Sequence, residues 1–265
     1  MDVSYAELAR NLRARKRLGQ NFLVNESVAR IEAEYARGKF AVEIGPGLGI
    51  LTRALSKVSK RVLAVEKDRR LYELLSNSID AGNVMLLEGD FFDTAESAFA
   101  GAEIMVSNVP YNLSSKVLSW LMVHRLEAVL CLQKEFVEHM LAKPGTKKYS
   151  KLSVFSALQF GATRIMGVPR NDFYPVPKVD SVLVHLETKG AIIDNTVQKV
   201  LGLVMEHKKK LLRNAVIDSA KSLLLDGADA VRLADSLADS GKRVFKMGPE
   251  ELLAAAEDIA SRLTA

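Results

Sequence analysis

From Phe40 to about Leu186, short apolar runs alternate with segments of helical period. That alternation is the signature of parallel strands buried on both faces and joined by helices. The runs at 40–44, 61–66, 84–88, 104–107 and 128–132 are predicted strands. Helices are predicted from about Leu51, from Asp68 to about Ile79, from a Ser114-Ser115 cap, and over 134–141. Residues 152–160 fit either period and are read as helix, with two further strands at 163–168 and 179–186. Ahead of the first strand lie a basic helix over 4–17 and a second over 26–37, with Val28 and Ile31 facing inward. Past 188–194 the period is helical throughout, predicting helices near 195–206, 208–222, 228–239 and 250–263, with Pro249 and its following glutamates suited to a first turn. The expected fold is α/β, a Rossmann-like sheet over 1–189 carrying N-terminal helices as a lid, then a small all-helical domain over 190–265.

Candidate chemistry collects where the strands end. The first runs into Gly45-Pro46-Gly47-Leu48-Gly49, whose glycines allow unusual backbone angles and a close ligand. The spacing is neither the dinucleotide fingerprint nor a phosphate loop. Glu43 just before it suits a cofactor bearing an amine or sulfonium and no phosphates. Glu66 closes the second strand about 20 residues on, where an acid accepts from ribose hydroxyls. Asp90 follows the third and suits an adenine amine. Taken singly, each is an ordinary strand-end carboxylate or turn, but their recurrence at one edge points to a nucleoside-shaped pocket with a cationic tail, which fits S-adenosylmethionine.

Asn108-Val109-Pro110-Tyr111 leaves the fourth strand at the same edge. The Asn108 side-chain oxygen and the Val109 carbonyl suit the two hydrogens of an adenine N6, with Pro110 fixing the backbone. Tyr111 and Phe173, the latter before a loop stiffened by Pro175 and Pro177, suit a sandwich around a base flipped from its stack. These make Asn108, Pro110, Tyr111 and Phe173 the candidate catalytic residues.

Composition narrows the partners. The 265-residue chain carries a net charge of +5, with basic clusters at 10–17, 143–151 and 208–213 that suit phosphates. Cys131 is the sole cysteine, so no internal disulfide forms and a reducing, cytoplasmic compartment is expected. No apolar run reaches membrane-spanning length, and the four histidines have no metal-ligand spacing, so neither a membrane nor a metal is expected.

Several segments together resemble the ribosomal RNA adenine dimethyltransferase family of small-subunit enzymes. They are Leu18-Gly19-Gln20-Asn21-Phe22-Leu23, the glycine turn from Glu43 to Thr52, Asn108 to Ser115, Gln133-Lys134-Glu135, Tyr149 to Val154, and Phe173 to Ser181. The resemblance runs from about residue 16 to the C-terminus and weakens after 190. It implies a class I methyltransferase that dimethylates N6 of two adjacent adenosines in a hairpin near the 3' end of small-subunit rRNA. The implied partner is small-subunit rRNA within a pre-ribosomal small subunit, met by a monomer whose tail and basic surfaces contact rRNA. It also implies that Gln20, Asn21 and Leu23 join Glu43, Gly45, Gly47, Gly49, Glu66, Asp90 and Asn108 at the cofactor. Lys208-Lys209-Lys210-Leu211-Leu212-Arg213-Asn214 stands where the family often has an arginine-rich stretch, changing the guanidinium geometry. An archaeal source suits the lysine-rich stretch. Two competing readings are a large-subunit adenine methyltransferase of the macrolide-resistance type and a non-catalytic ribosome assembly factor.

Overall fold

The computed structural model describes residues 4–189 and 193–263. In chain order, α1 (Tyr5–Asn11), β1 (Phe22–Leu23) and α2 (Glu26–Glu34) lead into β2 (Phe40–Ile44), α3 (Ile50–Val58), β3 (Arg61–Glu66), α4 (Arg69–Ser76) and β4 (Val84–Glu88). Next come β5 (Ile104–Asn108), α5 (Ser114–His124), β6 (Glu127–Gln133), α6 (Lys134–Met140), α7 (Lys151–Gln159), β7 (Phe160–Val168), β8 (Phe173–Tyr174) and β9 (Ser181–Thr188). The chain closes with α8 (Asn195–Glu206), α9 (Leu212–Asp218), α10 (Gly227–Ser236) and α11 (Pro249–Leu263).

One sheet runs in the order β4-β3-β2-β5-β6-β9-β7, and β1 pairs separately with β8. The strands from β4 through β6 are parallel to their neighbours, whereas β9 lies antiparallel to β6, with Gln133 opposite Ser181. All five side chains of β2 are buried, as a central strand covered on both faces requires. From β2 the chain goes to one side for β3 and β4, then crosses to the other for β5. That reversal opens a crevice beyond the carboxyl ends of β2 and β5, the place where open α/β sheets take ligands.

Gly49 starts α3 at φ +80°, and a Cβ there would stand 2.5 Å from Leu75 Cδ2 on α4. Only glycine meets both conditions, so the turn and its following helix close onto α4.

The chain forms two compact units, residues 1–137 with 162–188 and residues 138–161 with 189–265. A boundary at 189/190 therefore lies beside the C-terminal division, with 190–192 outside the described residues, but it misses 138–161. Those residues belong to the second unit because Tyr149, Val154 and Leu158 share a core with Val200, Leu212, Met247 and Ile259. Burying each such side chain contributes about 1.5–3 kcal/mol, more than local propensity supplies. The Tyr149 hydroxyl donates to the Met247 carbonyl at 2.9 Å, so its one polar group is satisfied there.

Several boundaries differ from the expected ones. α1 ends at Asn11, not near 17, and a 3-10 turn at Lys16–Leu18 follows because Arg15 is drawn into tertiary contacts described below. α2 stops at Glu34, and Ile31 is exposed while Glu32 is buried. α5 begins at Ser114 itself, whose hydroxyl donates to the Tyr111 carbonyl and caps no N–H. α9 begins at Leu212, so Lys208 to Lys210 lie in the preceding turn. There the Lys208 ammonium donates to the Tyr149 carbonyl at 2.5 Å.

Candidate active site

The glycine turn and β3 are joined through Glu66. Gly45 and Gly47 take φ of +63° and +60°, which turns backbone N–H groups toward the strand exits. The Gly47 N–H donates to Glu66 Oε2 at 3.0 Å and the Asp68 N–H to Oε1 at 2.7 Å. Burial pushes this carboxyl up to about 7, against the pull of those N–H groups toward ionisation. Two carboxylate oxygens offer about four acceptor positions, so these backbone donors leave capacity for a hydroxyl donor from the cavity. Gly45, Gly47 and Glu66 border one cavity in the first unit, together with Asp90 and Asn108.

Asp90 caps the short turn Phe91–Asp93 by accepting from the Phe92 N–H at 3.0 Å, and the Lys67 ammonium sits 2.6 Å from its other oxygen. Phe91 and Phe92 border the cavity beside it. Phe91 is held by Phe99 and Trp120, with ring centroids 4.9 and 5.0 Å away. An acid acceptor beside a fixed apolar wall matches the edge and face of an adenine ring. The paired phenylalanines after Gly89-Asp90 were the available sequence signal for that wall.

Gln20 and Asn21 border the same cavity from the N-terminal segment. Gln20 Oε1 accepts from the Arg15 N–H at 2.7 Å, and its amide donates to Asp68 Oδ2 at 3.1 Å. Asp68 also pairs with Arg15 at 3.2 Å and Arg70 at 2.7 Å, and its side chain is wholly buried. The Arg70 guanidinium, followed by Gln20, holds that carboxyl down at about 2. Asp68 thus clasps the N-terminal segment to the exit of β3, a role its position as an ordinary helix cap did not announce. One arginine of the first basic cluster, Arg15, is consequently engaged within the fold while still partly exposed.

On the opposite wall, Asn108 ends β5. Its Nδ2 donates to Glu32 Oε2 at 2.9 Å, while its Oδ1 is buried with no partner among the described residues. The Ser107 hydroxyl donates to the Ile44 carbonyl at 2.8 Å and ties the exits of β2 and β5 together. Pro110 and Tyr111 follow along the cavity, and the Tyr111 hydroxyl lies 2.8 Å from Ser181 Oγ. Phe173 also borders the cavity and is buried. The β1–β8 ribbon holds it by pairing Leu23 with Phe173 and Phe22 with Tyr174, and the Val24 N–H donates to the Asp172 carbonyl at 2.8 Å.

Three residues expected at the cofactor stand elsewhere. Glu43 does not border the cavity and turns toward α3. There it accepts from the Thr52 hydroxyl at 2.7 Å, and burial pushes its carboxyl up to about 8. Leu23 packs into the core with Val28 and Phe173, and Gly49 serves the approach to α4. Gln20, Asn21, Gly45, Gly47, Glu66, Asp90, Asn108, Pro110, Tyr111 and Phe173 all meet around one space.

Residues 11–226 match the family described as ribosomal RNA adenine dimethylase. A probable ribosomal RNA small subunit methyltransferase A from Thermococcus gammatolerans is 37% identical over 252 residues, covering 92% of this chain and 88% of its own. The protein of the same description from Methanopyrus kandleri is 34% identical and covers 98% of each chain. Among solved structures, a dimethyladenosine transferase from Plasmodium falciparum superposes with a TM-score of 0.74 at 27% identity, over 87% of this chain and 94% of that one. The 23S rRNA methyltransferase ErmE shares the fold, with a TM-score of 0.61 at 24% identity over 90% and 99% of the two chains. With a Rossmann-like sheet, a cavity at its switch point and this extent of likeness, the chain belongs to the ribosomal RNA adenine dimethylase family.

Proposed function

We propose that this chain methylates N6 of two adjacent adenosines in the 3'-terminal hairpin of small-subunit rRNA, giving N6,N6-dimethyladenosines, and that it acts as a monomer on a partly assembled small subunit. The observation that carries the reading is Asn108 Oδ1, a buried acceptor without a partner on the wall of a cavity whose other end suits an adenosine. S-adenosylmethionine supplies a methyl group already activated by its sulfonium sulfur, so positioning and electrostatics are what the protein must provide.

Each wall then has a task. Glu66 accepts from ribose hydroxyls, and Asp90, beside the Lys67 ammonium, accepts from the adenine amine of the cofactor. At the target base, Asn108 Oδ1 and the Val109 carbonyl accept the two N6 hydrogens. That draws the nitrogen toward tetrahedral geometry and frees a lone pair otherwise delocalised into the ring. Tyr111 and Phe173 flank the base and offset part of the cost of unstacking it. The alkylated N6 loses its proton readily, so no strong base is required beside it. Among the described residues no helix is long and apolar enough to cross a membrane.

Labelled methyl groups offered with unmodified small and large subunits test the substrate. Label should enter the small subunit at two neighbouring adenosines, and label confined to the large subunit would reject the proposal.

In the second unit, Lys209 and Lys210 are exposed, Lys210 pairing with Asp218 at the surface, whereas Lys208 is partly buried and donates to the Tyr149 carbonyl. Replacing Lys209 and Lys210 by alanine is expected to weaken subunit binding. It should also reduce the slope of log affinity against log salt by about one per lost phosphate contact. An unaltered slope across a salt titration would make the pair a solvated face.

A further inference from the structure

Glu32 sits where a charge needs a reason. It belongs to the buried face of α2 with Val28, Ala29 and Ala33, and its side chain is 0% exposed. Oε2 accepts from Asn108 Nδ2 at 2.9 Å and Oε1 has no partner among the described residues. An ionised carboxylate has no hydrogen to give, so it must face the amide nitrogen of Asn108. The amide oxygen is thereby left for a donor in the cavity. A neutral group with a hydrogen to give would equally satisfy an amide turned half around, presenting NH2 to the incoming amine and setting donor against donor.

We propose that Glu32 is a positioning residue, selecting the orientation of Asn108 that presents Oδ1 to the methyl-accepting nitrogen. This rests on the reading of Asn108 given above. The titratable groups facing Glu32 are Glu43 from β2 and Cys131 from β6, and the latter's thiol also feels Asp172. Burial pushes Glu32 up to about 8, so the fraction of correctly oriented amide grows as pH rises through that value.

Glu32→Gln keeps the shape and removes the selection, because a glutamine amide pairs with Asn108 in either orientation. At saturating cofactor and about pH 9, where Glu32 is ionised, kcat is expected to fall by about half or more, while the cofactor Kd and the subunit KM do not change. The wild-type kcat should rise between about pH 6 and 9 and that of E32Q should not. In an Asn108→Ala background, E32Q should change the residual rate no further. A wild-type kcat in E32Q beside an inactive N108A would overturn the proposal and leave Asn108 in place, whereas wild-type turnover in N108A would remove both. Should E32Q fail to fold, a flat wild-type kcat profile over the same pH range would overturn it.

Discussion

Asn108→Ala is expected to slow methyl transfer by roughly 10²- to 10³-fold, the usual effect of deleting one preorganised hydrogen-bonding group aimed at the reacting atoms. The amide makes two unlike contributions. Nδ2 is already bound to Glu32, so it contributes to the fold before any ligand arrives. Oδ1 has no protein partner, so what it contributes is realised only when a donor enters the cavity. An acceptor that strengthens as N6 pyramidalises lowers the barrier more than it tightens substrate binding, so the loss should fall on kcat. Removing the amide also strips Glu32 of its donor, and that fully buried carboxyl then keeps its proton to a still higher pH. A neutral Glu32 limits the structural damage, so thermal stability and cofactor affinity should change little beside the rate. Single-turnover kinetics with saturating enzyme, together with calorimetric binding of the cofactor, separate these effects. Near-normal turnover would remove Asn108 from the chemistry.

The part of this site that the sequence reveals is the part that topology dictates. Glu66, Asp90 and Asn108 each follow a short apolar run. Parallel strands with right-handed crossovers bring such endings to one edge whatever the details of packing. The residues that escaped depend on contacts between distant segments. Ile31 reads as inward on hydrophobicity alone, yet Val28, Ala29, Glu32 and Ala33 form the buried stripe. A glutamate on an alanine-rich face at helical spacing was the signal for Glu32, and its meaning came only from Asn108, 76 positions away. Asp68 shows no more than a helix cap until Arg15 and Gln20 fold back on it. Proximity to the glycines suggests a ligand for Glu43, whereas in the fold its carboxylate is taken by the Thr52 hydroxyl on α3. In the second unit, Tyr149, Val154 and Leu158 find their core among helices roughly forty or more residues downstream, beyond any local period.

Glu66→Ala is expected to weaken S-adenosylmethionine binding by roughly 10²-fold or more. Hydrogen bonds to a charged acceptor contribute about 1.5–3 kcal/mol each, and two ribose hydroxyls are at stake. The substitution also frees the N–H groups of Gly47 and Asp68, which loosens the turn that the cofactor lies against. The same carboxyl gives wild-type binding a definite pH dependence. Its pKa in the ligand-free protein is raised from the usual 4.5 to about 7, chiefly by burial. Hydroxyl donors require the ionised form, so affinity is complete above about pH 7 and falls below it, by at most about tenfold per unit. Stability of the ligand-free protein runs the other way. A carboxyl with a raised pKa binds more protons folded than unfolded, so its contribution is fully present below 4.5 and is lost as pH rises toward 7. Glu32 and Glu43, both raised to about 8, extend that loss to higher pH. Thermal shift with and without cofactor should therefore diverge as pH increases, with the bare protein melting earlier and the gain from cofactor growing. Because the two trends have opposite signs, a general pH sensitivity of the fold cannot imitate them, and a cofactor affinity constant from pH 5.5 to 8.5 would take Glu66 out of the ribose site.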